Sequence, residues 1–142
     1  MNDFAALGEI AQQRFGWKLY TAMRYLSESA EVERLHSSDP QVYPLAGRKQ
    51  KRDTAWSRQV LERGEAYFAN DVAGIRAAFD DADRILALGL GAVINAPVLL
   101  DGRVLGTLNF LREAGGYRRE QVAEAMAIAA QAVRLLTKAR TR

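Results

Sequence analysis

Residues 92–111 read AVINAPVLL, then Asp101 and Gly102, then RVLGTLNFL. Two apolar, β-branched runs separated by Asp-Gly are the strongest short-range hairpin signal. A two-residue type I′ turn needs positive φ at both central residues, and its twist matches that of the flanking strands. A turn centred there pairs residues whose numbers sum to 203, setting Asn95 opposite Leu108 and Asn109 opposite Ile94. The two amides then occupy opposite sheet faces unless a bulge intervenes, and one of them faces any cavity. Asn109, which shares a face with Thr107, is the favoured choice and Asn95 the alternative. Amides satisfied by structural partners would account for either.

The remaining elements follow from periodicity and punctuation. Phe4, Leu7, Ile10 and Ala11 recur at helical spacing, predicting an amphipathic helix over 3–14. WKLYTAMRYL predicts a strand over 17–25, and AEVERLHSS a second strand that completes an antiparallel hairpin. Residues 39–53 show neither period and contain two prolines, which predicts a loop of about fifteen residues, a length typical of lids and binding loops. DTAWSRQVLERGE predicts a short helix with Trp56, Val60 and Leu61 on one face, and AYFAN a short strand. Asp71 is placed to cap VAGIRAAF, and the run DDAD at 80–83 to cap RILALG rather than to hold a metal. Val122, Met126, Ala129, Val133 and Leu136 step by four and three, predicting one long helix over 118–139 whose stripe packs on the sheet. Positions beside that stripe remain available for pairing with a second copy.

Composition excludes several functions. The 142 residues suit a single domain spanning 1–142, with 49% hydrophobic and 26% charged residues, the balance of a folded protein. No apolar run reaches the roughly 18 residues that span a bilayer, and the N-terminus reads as a helix rather than a signal peptide. The expectation is a cytoplasmic protein without a membrane role. There is no cysteine, which removes thiolate zinc sites, disulfides and cysteine nucleophiles together. The net charge is +3, yet Arg48, Lys49, Lys51, Arg52 and Arg58 against Asp53 place a surplus of +4 within residues 48–58. One short basic stretch is thin support for nucleic-acid binding and reads as a local anion contact or a solvated loop.

The segment LGLGAVINAPVLLDGRVLGTLNFL resembles the strand, proline, hairpin and glycine core of GAF domains. VERLHSSDPQVYPLAGRK and DTAWSRQVLERGE resemble the small stand-alone GAF-domain proteins of bacteria. The resemblance runs from about residue 15 to 138. It implies an α+β, PAS-related fold: a central antiparallel sheet of five to six strands, terminal helices on one face and a ligand pocket on the other. The pocket roof would be residues 36–56 with the short helices around 71–88. The family commonly senses cyclic nucleotides, bilins, haem, amino acids or other metabolites, and often dimerises through its terminal helices. Bilin attachment and the GAF-type reduction of free methionine sulfoxide depend on cysteines that this sequence lacks.

The resulting expectation is a sensor module for a polar or anionic metabolite, with no cofactor named. It would be a homodimer that passes its signal to a downstream protein. Ligand contacts are assigned to Arg34, His36, Tyr43, Arg48, Lys49 and Trp56, with Thr107 and Asn109 on the sheet. Strict alternation along the second strand puts Arg34 and His36 on one face. His36, the single histidine, also admits a structural role, or an acid–base role that would make the protein an enzyme. A ligand-free interaction module is the remaining alternative.

Overall fold

The structure is a computed structural model that describes residues 3–45 and 47–140, the side chains of 138–140 excepted; Ala46, within the expected loop, lies outside the described residues. Helix α1, Phe4–Arg14, starts at Asp3, whose carboxylate accepts the Ala6 N–H at 2.8 Å. Strands β1, Leu19–Leu26, and β2, Glu31–Ser37, form the first hairpin, and a two-residue strand β3, Lys49–Gln50, pairs beside β2. The expected loop over 39–53 is therefore partly an edge strand. It escaped the sequence reading because two residues carry no period; β3 exists only because β2 offers it hydrogen bonds.

Helix α2, Ala55–Ser57, is capped by Thr54 and runs directly into a π-helical turn, Arg58–Glu62. Strand β4, Tyr67–Ala69, and helices α3, Val72–Ala78, and α4, Ala82–Ala87, follow. Asp71 caps α3 as expected, accepting the Gly74 N–H at 2.9 Å. The side chain of Asp81, the residue preceding α4, makes no cap bond, because the acids of this run are drawn into tethers to other segments. Strands β5, Ala92–Leu100, and β6, Arg103–Arg112, form the central hairpin; Asp101 at φ 52° and Gly102 at φ 77° supply the two left-handed residues of the turn. The single C-terminal helix of the sequence reading is two helices, α5, Gln121–Ala130, and α6, Val133–Arg140. Tight bonds from the Gln131 and Ala132 amides to the Ile128 and Ala129 carbonyls end the first before the second begins.

The six strands form one antiparallel sheet in the order β3-β2-β1-β6-β5-β4. Leu7 and Ala11 of α1, Ala125, Ile128 and Ala129 of α5 and Leu136 of α6 pack on one face, against Tyr20, Ala22, Ile94, Ala96, Leu108 and Phe110. Tyr20 and Phe110 stack at 5.2 Å between ring centres in the middle of this layer. Burying side chains of this size contributes about 1.5–3 kcal/mol each. The other face is covered unevenly. Ile75, Ala82 and Ile85 pack over Leu19, Val93 and Leu111, and Val60 and Leu61 over Tyr25 and Val104. Between these two coverings the sheet faces a cavity.

Two β-bulges decide what that face presents. In β5–β6 the register shifts between Val98 and Leu99, so beyond the turn Asn95 pairs with Asn109 rather than with Leu108. In β1–β2 it shifts between Ala22 and Met23, so Met23 pairs with Arg34 while Ala22 pairs with His36. A one-residue slip moves every following side chain to the other face. Asn95 and Asn109 consequently share a face, and Arg34 and His36 do not, which corrects both alternation-based expectations. No described helix is long and apolar enough to cross a membrane.

Candidate ligand-binding site

The cavity measures about 600 Å³ and lies between the sheet and the roof formed by parts of 43–61 and the α3–α4 junction. Its floor contains one straight polar row. Sheet pairing aligns Asn95 of β5, Asn109 of β6 and Thr21 of β1 across three adjacent strands. Asn95 Nδ2 donates to Asn109 Oδ1 at 2.8 Å, and Asn109 Nδ2 donates to Thr21 Oγ1 at 3.1 Å. From the roof, Trp56 Nε1 donates to Asn95 Oδ1 at 3.0 Å, tying α2 to the sheet. Leu19, Met23, Leu111 and Phe79 supply apolar walls, Phe79 lying 6.1 Å from the Trp56 ring.

Tyr43 closes one end. Its ring lies between two guanidiniums, Arg34 at 5.2 Å and Arg84 at 4.7 Å, and its hydroxyl donates to Asp81 at 3.0 Å. Arg34 also donates to the Pro44 carbonyl at 2.9 Å, and Arg84 donates to the Val42 carbonyl. Residues 42–44 are thus clasped from β2 on one side and α4 on the other. Burial, reinforced by the neighbouring Asp81 carboxylate, pushes the Tyr43 phenol up to about 12. Partial burial lowers the Arg34 guanidinium from its ordinary value, though a guanidinium remains charged.

Five of the expected contacts line the cavity: Arg34, Tyr43, Lys49, Trp56 and Asn109. Three do not. His36 lies on the helix face between the rings of Phe4 and Tyr20, 6.4 and 5.3 Å away, so an acid–base role toward a cavity ligand has no geometric basis. Arg48 precedes Lys49 on the chain and points to the other side, 4.0 Å from Glu33. Thr107 shares the floor face with Asn109 but is wholly buried outside the lining, and its hydroxyl has no hydrogen-bond partner among the described residues. The basic stretch is divided among separate acids: Lys51 pairs with Glu62, Arg52 with Asp80 and Arg58 with Asp53. Lys49 makes no ion pair among the described residues, so it remains a charge available to the cavity.

Sequence reasoning missed Thr21, Arg84 and Asp81. Thr21 sits in a strand recognised by its aromatic and β-branched content, and only cross-strand pairing shows that it ends the amide row. Arg84 and Asp81 reach the site through contacts 42 and 38 residues away along the chain.

The family model described as GAF domain matches residues 4–137. The GAF domain/HD domain protein of Geobacter sulfurreducens is similar in structure at TM-score 0.75 and 11% identity, over 97% of this chain and 92% of that one. A domain of a sensor histidine kinase from Sinorhizobium meliloti 1021 matches at TM-score 0.70 and 15% identity, over 97% and 91%. The free methionine-R-sulfoxide reductase of Neisseria meningitidis matches at TM-score 0.66 and 18% identity, over 96% and 79%. At these identities the structures establish the fold alone. Comparison with curated proteins finds no match.

Proposed function

Because the chain belongs to the GAF domain family, we propose that it is a single-domain cytoplasmic sensor whose cavity binds a polar or anionic metabolite, and that it works as a homodimer with a downstream protein partner. GAF domains are small-molecule-binding sensor and regulatory domains. The observation that supports the reading here is the cavity's composition: a polar row on an otherwise apolar floor, with Arg34 and Lys49 beside it. Ligand sites are typically apolar pockets of about 300–1,000 Å³ with a few convergent polar groups, and this one fits that description. The clasp on Tyr43 supplies a route for the signal, because a ligand that displaces Arg34 from the ring changes how residues 42–44 are held.

Native mass spectrometry of the purified protein tests this directly. The expected result is a retained small acid or polar metabolite, released on denaturation, and absent from Lys49→Ala protein that still melts cooperatively. A ligand-free mass, together with no thermal shift across a metabolite panel, would refute binding and favour a module that acts through protein contacts alone.

A further inference from the structure

The polar row has a direction, and its direction is set by one residue. An indole nitrogen can only donate, so Trp56 forces Asn95 to turn Oδ1 toward it and Nδ2 toward Asn109. Asn109 must then accept with Oδ1 and donate through Nδ2 to Thr21. Flipping either amide would set donor against donor. Thr21 Oγ1 accepts at the end of this chain, so its own proton is left to give, and among the described residues the hydroxyl donates no hydrogen bond. Thr21 is 7% exposed and lines the cavity.

The donor end of the row also adjoins the cations. On the floor face, Met23 is the next β1 residue after Thr21, and Arg34 of β2 pairs with it; Val32, next along β2, pairs with Lys49 of β3. Both acids that line the cavity are already engaged, Asp81 by the Tyr43 hydroxyl and Asp80 by Arg52. At the opposite end stand Trp56 and Phe79. The cavity is therefore asymmetric: the Thr21 donor, Arg34 and Lys49 stand on the β1–β3 side, where the Tyr43 ring is held between Arg34 and Arg84, and the Trp56 and Phe79 rings on the β5 side, where the only neighbouring charge among these residues is neutralised in the Arg52–Asp80 pair.

Resting on the reading of this cavity as a binding site, we infer that its ligand is a carboxylate carried on a planar apolar body. The carboxylate meets Thr21 and Arg34, and the body lies against Trp56 and Phe79. Ligands that present a cation at the Thr21 end are disfavoured by the neighbouring Arg34 guanidinium, and neutral donors there can take only the second lone pair of the Thr21 oxygen and forgo both its proton and the charge of Arg34.

The two tryptophans of the chain provide the readout. The Trp56 indole N–H sits on the row, whereas the Trp17 indole N–H donates to the Gly8 carbonyl at 2.7 Å in the helix layer. In ¹⁵N-labelled full-length protein, titration with benzoate should shift the Trp56 indole signal and leave that of Trp17 in place. Benzamidine, the same ring bearing a cationic donor, should leave both unmoved, and benzyl alcohol should bind more weakly than benzoate. Thr21→Val should weaken benzoate at least tenfold, the equivalent of one lost charge-assisted hydrogen bond, while Thr21→Ser retains it. If benzamidine or benzyl alcohol shifts Trp56 as well as benzoate does, the cavity binds ligands but the carboxylate assignment is wrong. If none of the three shifts it, the assignment of a carboxylate on a planar ring is overturned, while the reading of the cavity as a binding site stands or falls separately with the native mass spectrum and metabolite panel.

Discussion

Gly106 lies on β6 opposite Arg24 of β1, where a β-carbon would stand 2.1 Å from the Met23 carbonyl oxygen and 3.0 Å from Leu136 Cδ1. The first obstacle is backbone and the second closes the retreat toward α6, so Gly106→Ala must push β1 and β6 apart by about an ångström. Overpacking of this kind costs about 1–3 kcal/mol. Weakening one or two ladder hydrogen bonds adds about 1 kcal/mol each. Removing a glycine from the unfolded chain returns about 0.4–1 kcal/mol. The net is a destabilisation of about 3 kcal/mol. Gly47→Ala makes the same chemical change where nothing stands within 4 Å, and should be neutral or slightly stabilising. Urea unfolding followed by far-UV circular dichroism measures both. With a slope of about 2 kcal/mol per molar, the Gly106→Ala midpoint falls by roughly 1.5 M. The displacement also pulls Thr21, two residues from Met23, away from Asn109, so the Trp56 indole resonance should move in this variant without any ligand. A Gly106→Ala protein within 1 kcal/mol of the parent would refute the β1–β6 register, and with it the alignment of the cavity floor.

Burial between Phe4 and Tyr20 lowers the His36 imidazole below 6.5, against an opposing pull from Asp3. The unfolded chain therefore binds the proton first, and stability should fall as pH drops from 6.5 toward the lowered folded value. His36→Phe should flatten that part of the pH profile, which thermal melts at pH 7.5, 6 and 5 would detect; an unchanged slope would count against burial as the cause. Tyr43→Phe removes the hydroxyl bond to Asp81 while keeping the ring between Arg34 and Arg84. It should cost about 1 kcal/mol and speed amide hydrogen exchange at 42–43, with little change in β5 and β6.

Much of the architecture was legible in the residues. The Asp-Gly turn between two apolar runs, the capping aspartate at 71, and the helical stripe on Leu7 and Ala11 are local signals, each carried by the identity and spacing of neighbouring residues. Arg34, Tyr43, Lys49 and Trp56 line the cavity; Tyr43 and Lys49 stand out as polar and aromatic residues of an aperiodic segment, whereas Arg34 was assigned by alternation with His36 along a strand, a ground the β1–β2 bulge removes, and Trp56 from a short helix. The interruption between α5 and α6 was not legible, since the apolar spacing continues straight through it.

Face assignment was decided by tertiary structure. The sequence by itself determined that a hairpin turns at Asp101–Gly102 and that an α+β chain surrounds it, because turn chemistry and periodicity are properties of neighbouring residues. It could not determine that Leu35 and Leu105 would each be passed over in pairing, for a bulge is a compromise between two strands and the layers packed on both sides of them. Those two skipped residues sent His36 to the helices and brought Asn95 beside Asn109. The period of a strand is two, so each single-residue slip was enough to exchange core for cavity.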